Sequence, residues 1–182
     1  MVIRKNLLFL IVLLLLVACG NQNKTQEEIQ KDWKIFETDN YSIKYPHSWA
    51  LDQSGYLGTS FLIISKQTSI RDLYQENVSL VEKQLSDSEI DLKLYLQQDV
   101  KALRDSIPYI EISMDSLNEN SKQNFHQLIY ETQEGINKIA IEKYYFLKGS
   151  IAYILTFSCK SREQKRYMPI GEGILNSFEF KE

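Results

Sequence analysis

An α+β fold, an antiparallel β-sheet flanked by helices, is what this sequence predicts, and three patterns predict it. Short runs rich in Ile, Val, Tyr and Phe alternate in period two and are separated by turn residues. One segment, Asp91 to Ser106, switches to helical period, and a second, Ser161 to Ser177, follows the last long strand. Several strands are apolar in both registers, notably Ile139-Ala140-Ile141 and Ile151 to Phe157, so the sheet is expected to be covered on both faces.

Trp33 to Thr38 and Tyr41 to Tyr45 read as paired strands. Asp39-Asn40 is suited to the left-handed conformations of a tight hairpin, and Pro46 closes the second strand. Ser60 to Ser65 and Glu76 to Lys83 are two further strands. Between Tyr45 and Ser60, the loop Gly55-Tyr56-Leu57-Gly58-Thr59-Ser60 has the glycines of a phosphate cradle without its Lys or its spacing, and is read as a turn. In Asp91 to Ser106 the residues Leu92, Leu96, Val100 and Leu103 share one helix face, with Asp91 placed to cap the first turn and Pro108 to stop the chain after it. Tyr109 to Asp115, Asn124 to Thr132, Lys138 to Leu147 and Ile151 to Lys160 then form an antiparallel meander, with Gly135 and Gly149-Ser150 at reversals.

The second helix is expected to start with a capping box, Ser161 with Gln164, and to break near Tyr167-Met168, because Pro169 inside a helix costs about 3 kcal/mol. Gly171-Glu172-Gly173 follows no strand of a βαβ unit and is no dinucleotide site. Phe178-Glu179-Phe180 can return to the sheet as a last strand.

The amino terminus carries an address. Arg4 and Lys5 precede an apolar stretch from Leu7 to Ala18, well short of the roughly 20 residues that span a bilayer as a helix. Leu16-Val17-Ala18-Cys19 is similar to a bacterial lipobox, in which a diacylglycerol is joined to the Cys sulfur and the preceding segment is removed. Residues 1–18 are therefore expected to be a lipoprotein signal peptide, and Cys19 an acylated N-terminus held to a membrane of the bacterial envelope, on its periplasmic or its outer side. Residues 19–32 form a polar tether containing Glu27 and Glu28, and residues 33–182 one domain.

Loss of Arg4 and Lys5 makes the mature chain more acidic than the net −3 of the whole sequence, which argues against nucleic acid as a partner. With Cys19 acylated, Cys159 is the one remaining thiol, so no intramolecular disulfide is expected. Tyr153, Leu155, Phe157 and Cys159 share a strand face, and Cys159 is read as a buried thiol.

The two histidines, His47 and His126, sit in no metal-ligand spacing; His126 alternates with Leu128 and Tyr130 on a strand face, and His47 follows a turn, exposed. No catalytic residue, cofactor or metal is expected. Trp49, Tyr56 and His47 are the candidate partner surface, being the aromatic and imidazole side chains least bound to a strand pattern.

Four segments carry a family likeness. Tyr41-Ser42-Ile43-Lys44-Tyr45-Pro46-His47-Ser48-Trp49, an aromatic strand ending Tyr-Pro with Trp three residues later, resembles the opening signature of PsbP-like domains. Glu76-Asn77-Val78-Ser79-Leu80, Ala152 to Phe157 and Ile174-Leu175-Asn176-Ser177-Phe178 resemble later parts of that family, in the same order. The resemblance implies the Mog1p/PsbP-like fold, an antiparallel sheet between helices in an α/β/α sandwich. It also implies a binding or scaffold role: PsbP relatives are extrinsic subunits or assembly factors of photosystem II, and Mog1p binds a small GTPase. The lipoprotein signal departs from the photosynthetic members, so photosystem binding is not expected here. The function expected is a non-enzymatic, lipid-anchored module for an envelope protein or small ligand, against the alternative of an envelope hydrolase.

Overall fold

The computed structural model describes residues 32–85, 91–107, 109–118 and 123–182, and these form one compact unit, Asp32–Glu182. The signal segment, Cys19, Glu27, Glu28 and Pro108 lie outside the described residues. Seven strands build the main antiparallel sheet: β3 (Ala50–Asp52), β4 (Phe61–Ile64), β5 (Asn77–Gln84), β6 (Glu111–Asn118), β7 (Phe125–Glu134), β8 (Asn137–Lys148) and β9 (Ile151–Lys160), in the order β3-β4-β5-β9-β8-β7-β6. A smaller sheet, β1 (Lys34–Glu37), β2 (Tyr41–Tyr45) and β10 (Glu179–Phe180), has β2 at its centre. The helices are α1 (Leu92–Ser106) and α2 (Gln164–Asn176).

The β8–β9 hairpin dictates the layers. Register pairs Tyr144 with Leu155 and Ala140 with Cys159 on one face, and Tyr145 with Ile154 and Leu147 with Ala152 on the other. Both rows are apolar, and each must be shielded from water. On the first face lie α2 and the small sheet, burying Tyr41, Ile43, Phe157, Ile174 and Phe178 in the larger core. On the second lies α1, whose Tyr95 and Leu96 pack with Leu128, Tyr130 and Tyr145. The expected meander is present as β6-β7-β8-β9, and the helix expected at Asp91 to Ser106 starts with the expected cap, Asp91 Oδ1 accepting from Leu94 N at 2.7 Å.

Three local expectations are corrected, and one strand is added to those expected. The β1–β2 hairpin turns at Asp39-Asn40 without left-handed backbone, because the Thr38 hydroxyl accepts from Asn40 N at 3.2 Å and Tyr41 N at 3.1 Å and closes the turn itself. Ser161 does not cap α2; residues Ser161–Glu163 form a 3₁₀ turn, and Gln164 Nε2 donates instead to Glu131 Oε1 at 3.3 Å. The helix also continues through Pro169: Lys165, whose carbonyl loses its partner, and Pro169 are both exposed near the first turn, where water can serve that carbonyl. Finally, Ala50–Asp52 is a strand, pairing Leu51 with Ile63.

At Gly171, α2 comes close to the sheet. A Cβ there would lie 2.5 Å from the ring of Phe157, which is fully buried. Ala improves helix propensity by about 1 kcal/mol, yet overpacking against a ring that cannot retreat costs more. Gly171→Ala is expected to lower stability by about 2 kcal/mol in urea denaturation.

Candidate functional site

The main sheet has two ends. At the upper end β8 turns into β9 through Gly149-Ser150, and β7 begins at Phe125; at the lower end β7 turns into β8 through Gly135-Ile136, and β4 leads into β5. Because α2 packs on β9 and β5, it leaves the same face of β7 and β8 only partly covered towards the upper end. There the aromatic side chains of three elements meet in a groove of about 450 Å³. Phe125 stacks on Tyr144 with ring centroids 4.2 Å apart, Phe146 lies 5.2 Å from Phe178, and Phe180 stands edge-on to Phe146 at 5.8 Å. Gln123 clamps the strand that closes the groove, donating from Nε2 to Phe178 O at 2.6 Å and accepting from Phe180 N at 3.3 Å.

The floor of the groove is polar. Tyr144 donates its hydroxyl to Asn176 Oδ1 at 3.1 Å, and two residues earlier on the same face of β8 stands Glu142, wholly buried. Gln127 Nε2 donates to Glu142 Oε1 at 2.6 Å, whereas Oε2 has no hydrogen-bond partner among the described residues. Burial pushes the Glu142 carboxyl up to about 7, with the Gln127 hydrogen bond opposing and the charge of Glu172 adding to the rise. The same burial, with the Glu142 charge beside it, raises the Tyr144 phenol far above its ordinary value. Glu142 is closed off beneath the groove, whose lining joins aromatic side chains, all but Phe180 nearly buried, with the amides of Gln123 and Asn176. Such a surface suits a small ligand or peptide side chain that is apolar along one side and hydrogen-bonding at its tip.

The other face of the sheet holds a second buried polar group beneath α1. Tyr145 donates to Asp99 Oδ2 at 2.8 Å, and Lys143 Nζ lies 3.9 Å from the same carboxylate. Burial lowers the Lys143 ammonium and Asp99 opposes that fall. With Tyr130 and Tyr145 rings within 6 Å of the ammonium, the cluster is fully engaged in holding α1 to the sheet.

The sequence-selected residues are not brought together. Trp49, expected at the surface, is 5% exposed and edge-on to Tyr167 of α2 at 6.4 Å: the turn after Pro46 tucks it beneath that helix. His47 is exposed at the lower end, next to β3's first residue, and Tyr56 is exposed in the turn beyond β3's other end. His126 faces the α1 side and bonds Asp115, whereas Cys159 faces the α2 side within the larger core. Burial pushes the Cys159 thiol up to about 12, and nearby carboxylates including Glu76 push the same way, so it is an inert core group. Among the described residues no cluster of His, Cys, Asp and Glu could hold a metal ion.

The profile of the PsbP-like protein family matches residues 17–180. The chain belongs to the PsbP-like family. Solved structures agree on the fold. Cyanobacterial PsbP from Synechocystis sp. PCC 6803 superimposes with a TM-score of 0.58 at 13% identity, covering 90% of this chain and 98% of that one. LpqN of Mycobacterium tuberculosis, described as involved in cell envelope biogenesis, does so at 0.57 and 14% identity, covering 89% and 100%. A direct comparison with curated proteins gives no match.

In the sequence alone the groove aromatics are indistinguishable from strand packing. The signal for the groove was the pair Tyr144 and Phe146 in register with a terminal Phe178-Glu179-Phe180; the signal for the buried acid was Glu142-Lys143 inside a strand otherwise apolar on both faces.

Glu142 makes stability depend on pH with a definite sign. Its folded pKa lies above its ordinary value, so it contributes stability fully below pH about 4.5 and loses it as pH rises through about 7. Between pH 4.5 and 8 this single group is expected to withdraw about 3 kcal/mol, and Glu142→Gln is expected to flatten that part of the profile in thermal melts taken across the range.

Proposed function

We propose that this PsbP-like chain is a non-enzymatic binding module held at a bacterial envelope membrane by lipid on Cys19. The observation that carries the binding role is the aromatic groove between β7, β8, α2 and β10, a formed recess with a polar floor. The lipobox-like Leu16-Val17-Ala18-Cys19 supports the anchor, and LpqN, of the same fold and described as involved in cell envelope biogenesis, supports the location. Against the hydrolase alternative, His126 and Cys159 stand on opposite faces of the sheet, and Glu142, the acid whose proton is held into the neutral range, is sealed from any substrate. No helix among the described residues is long and apolar enough to cross a membrane.

Growth of expressing bacteria with labelled palmitate tests the anchor. The wild-type chain is expected to take up label and to stay with membranes through a high-salt wash, and Cys19→Ala is expected to do neither. Label in Cys19→Ala, or none in the wild type, contradicts the anchor.

A further inference from the structure

The lower end of the sheet carries an unusual set of side chains. Ile70 and Leu73, in the loop between β4 and β5, are 91% and 90% exposed, and Ile136 at the β7–β8 turn is 97% exposed. Tyr109, where the chain enters β6 opposite the end of β7, is 84% exposed. Three aliphatic side chains and one tyrosine held so fully in water, on three separate connections at one end of one sheet, mark an interaction surface.

The β4–β5 loop is built to keep them there. Asp72 is turned inward: its carboxylate pairs with Lys160 Nζ at 2.8 Å and accepts from Thr68 N and Oγ1 at 3.1 and 2.8 Å, while its backbone oxygen accepts from Gln67 Nε2 at 3.0 Å. Tyr74 donates to Ser158 Oγ at 2.9 Å and ties down the returning strand. With Asp72 fixed inward, its neighbours Ile70, Arg71 and Leu73 are all exposed. A loop tied by its own polar bonds spends little further entropy when its aliphatic tips are buried.

Charge selects the partner. Arg71, Arg162 and Arg166 converge on the recess at the foot of this loop, with exposed Lys66 and Lys165 adjacent to them in sequence or in the loop itself. Of the acids in the recess, Asp72 is taken by Lys160, Glu76 is buried and accepts from Ser65 Oγ at 3.1 Å, and Glu163 lies 3.9 Å from Arg162. Among the described residues Arg71 and Arg166 make no ion pair with a carboxylate, and Arg166 lies 4.9 Å from the Tyr167 ring. Aliphatic tips flanking Arg71, beside a recess lined by Arg162 and Arg166, complement the phosphate layer and acyl boundary of an anionic bilayer.

The path of the chain agrees. β2 runs towards the lower end, where Pro46 to Trp49 lead into Ala50 opposite Ile64, and Lys34 at the start of β1 pairs with Tyr45 and donates to Trp49 O at 3.5 Å. The segment following Cys19 in sequence therefore joins the domain at this same end. Its thirteen residues reach at most about 45 Å, which raises the effective concentration of the loop at the membrane.

We propose that the lower end, with Ile70 and Leu73 as inserting side chains and Arg71 and Arg166 as headgroup contacts, is a docking surface for an anionic phospholipid bilayer. It fixes the orientation of the domain so that the aromatic groove, at the other end of the sheet, faces away from the lipid. The proposal relies on the Cys19 anchor for the presence of a bilayer, not for the docking itself.

The test uses the chain from Gly20 onward, which contains both cores and lacks Cys19, so that failure of the anchor and failure of the docking are read separately. It is sedimented with vesicles of neutral phospholipid alone and of neutral and anionic phospholipid in equal parts. Binding is expected to the anionic vesicles at low salt. The double variant Ile70→Ser/Leu73→Ser is expected to lose about tenfold, and Arg71→Gln and Arg166→Gln about fivefold each, with unchanged circular dichroism because all four side chains are exposed. Equal binding to neutral vesicles, no binding to either, or binding that both sets of variants leave intact would overturn the proposal. So would displacement by inorganic phosphate with Ile70→Ser/Leu73→Ser unaffected, which would make the recess an anion site and nothing more.

Discussion

The two apolar faces of the β8–β9 hairpin are the constraint from which the rest of the fold follows. A strand pair that buries Tyr144, Leu155 and Cys159 on one side and Tyr145 and Ala152 on the other cannot stand at a surface, so it becomes the centre of the main sheet and demands cover twice. Cover on one side is α1, helped by the Asp99 carboxylate that receives Tyr145 and faces Lys143. On the other, α2 approaches so closely that only a glycine fits over Phe157. That closeness is bought by an uneven spread: α2 sits over β9 and β5, and the neighbouring faces of β7 and β8 are finished instead by aromatic rings from the chain's end. The groove is a consequence of covering the sheet with one short helix and a two-residue strand.

Polarity between the two ends follows from where the connections fall. At the upper end β8 turns into β9 through Gly149-Ser150, and the terminal strand is held by Lys148, which lies over Phe180 and donates to Lys181 O. The lower end carries Ile70, Leu73 and Ile136 exposed on the β4–β5 and β7–β8 connections, and β1 begins there. An anchored binding module needs such a division, one end for the surface that holds it and the other for what it meets.

Much of the fold was legible because it rests on short-range pattern. The α1 face, its Asp91 cap, the β6–β9 meander and the doubly apolar hairpin are all periodicities within a single segment, and the segments likening the chain to the PsbP-like family lie on β2, β5, β9 and α2. What failed depends on partners distant in sequence. Trp49 follows a proline turn and looks exposed until Tyr167 is laid over it, and Ala50–Asp52 becomes a strand only because β4 offers an edge. Pro169 reads as a breaker, yet lies where its orphaned carbonyl faces water. Ile70 and Leu73 are indistinguishable in sequence from core residues, since the Asp72–Lys160 pair that fixes their loop joins two segments far apart in the chain. The candidate site was least legible for the same reason: its aromatic walls come from β7, β8 and the carboxyl terminus, each of which alone reads as ordinary packing.

The account's central claim is that one end of the domain meets lipid while the other stays free. Hydrogen exchange on the lipidated chain in anionic bilayers, compared with the chain from Gly20 onward in solution, measures this residue by residue. Slower exchange at Ser69 to Leu73 and at Gly135-Ile136, with Phe125 and Phe180 unchanged, is the predicted result. Slower exchange at Phe125 and Phe180 with none at Ile70 to Leu73 would contradict it.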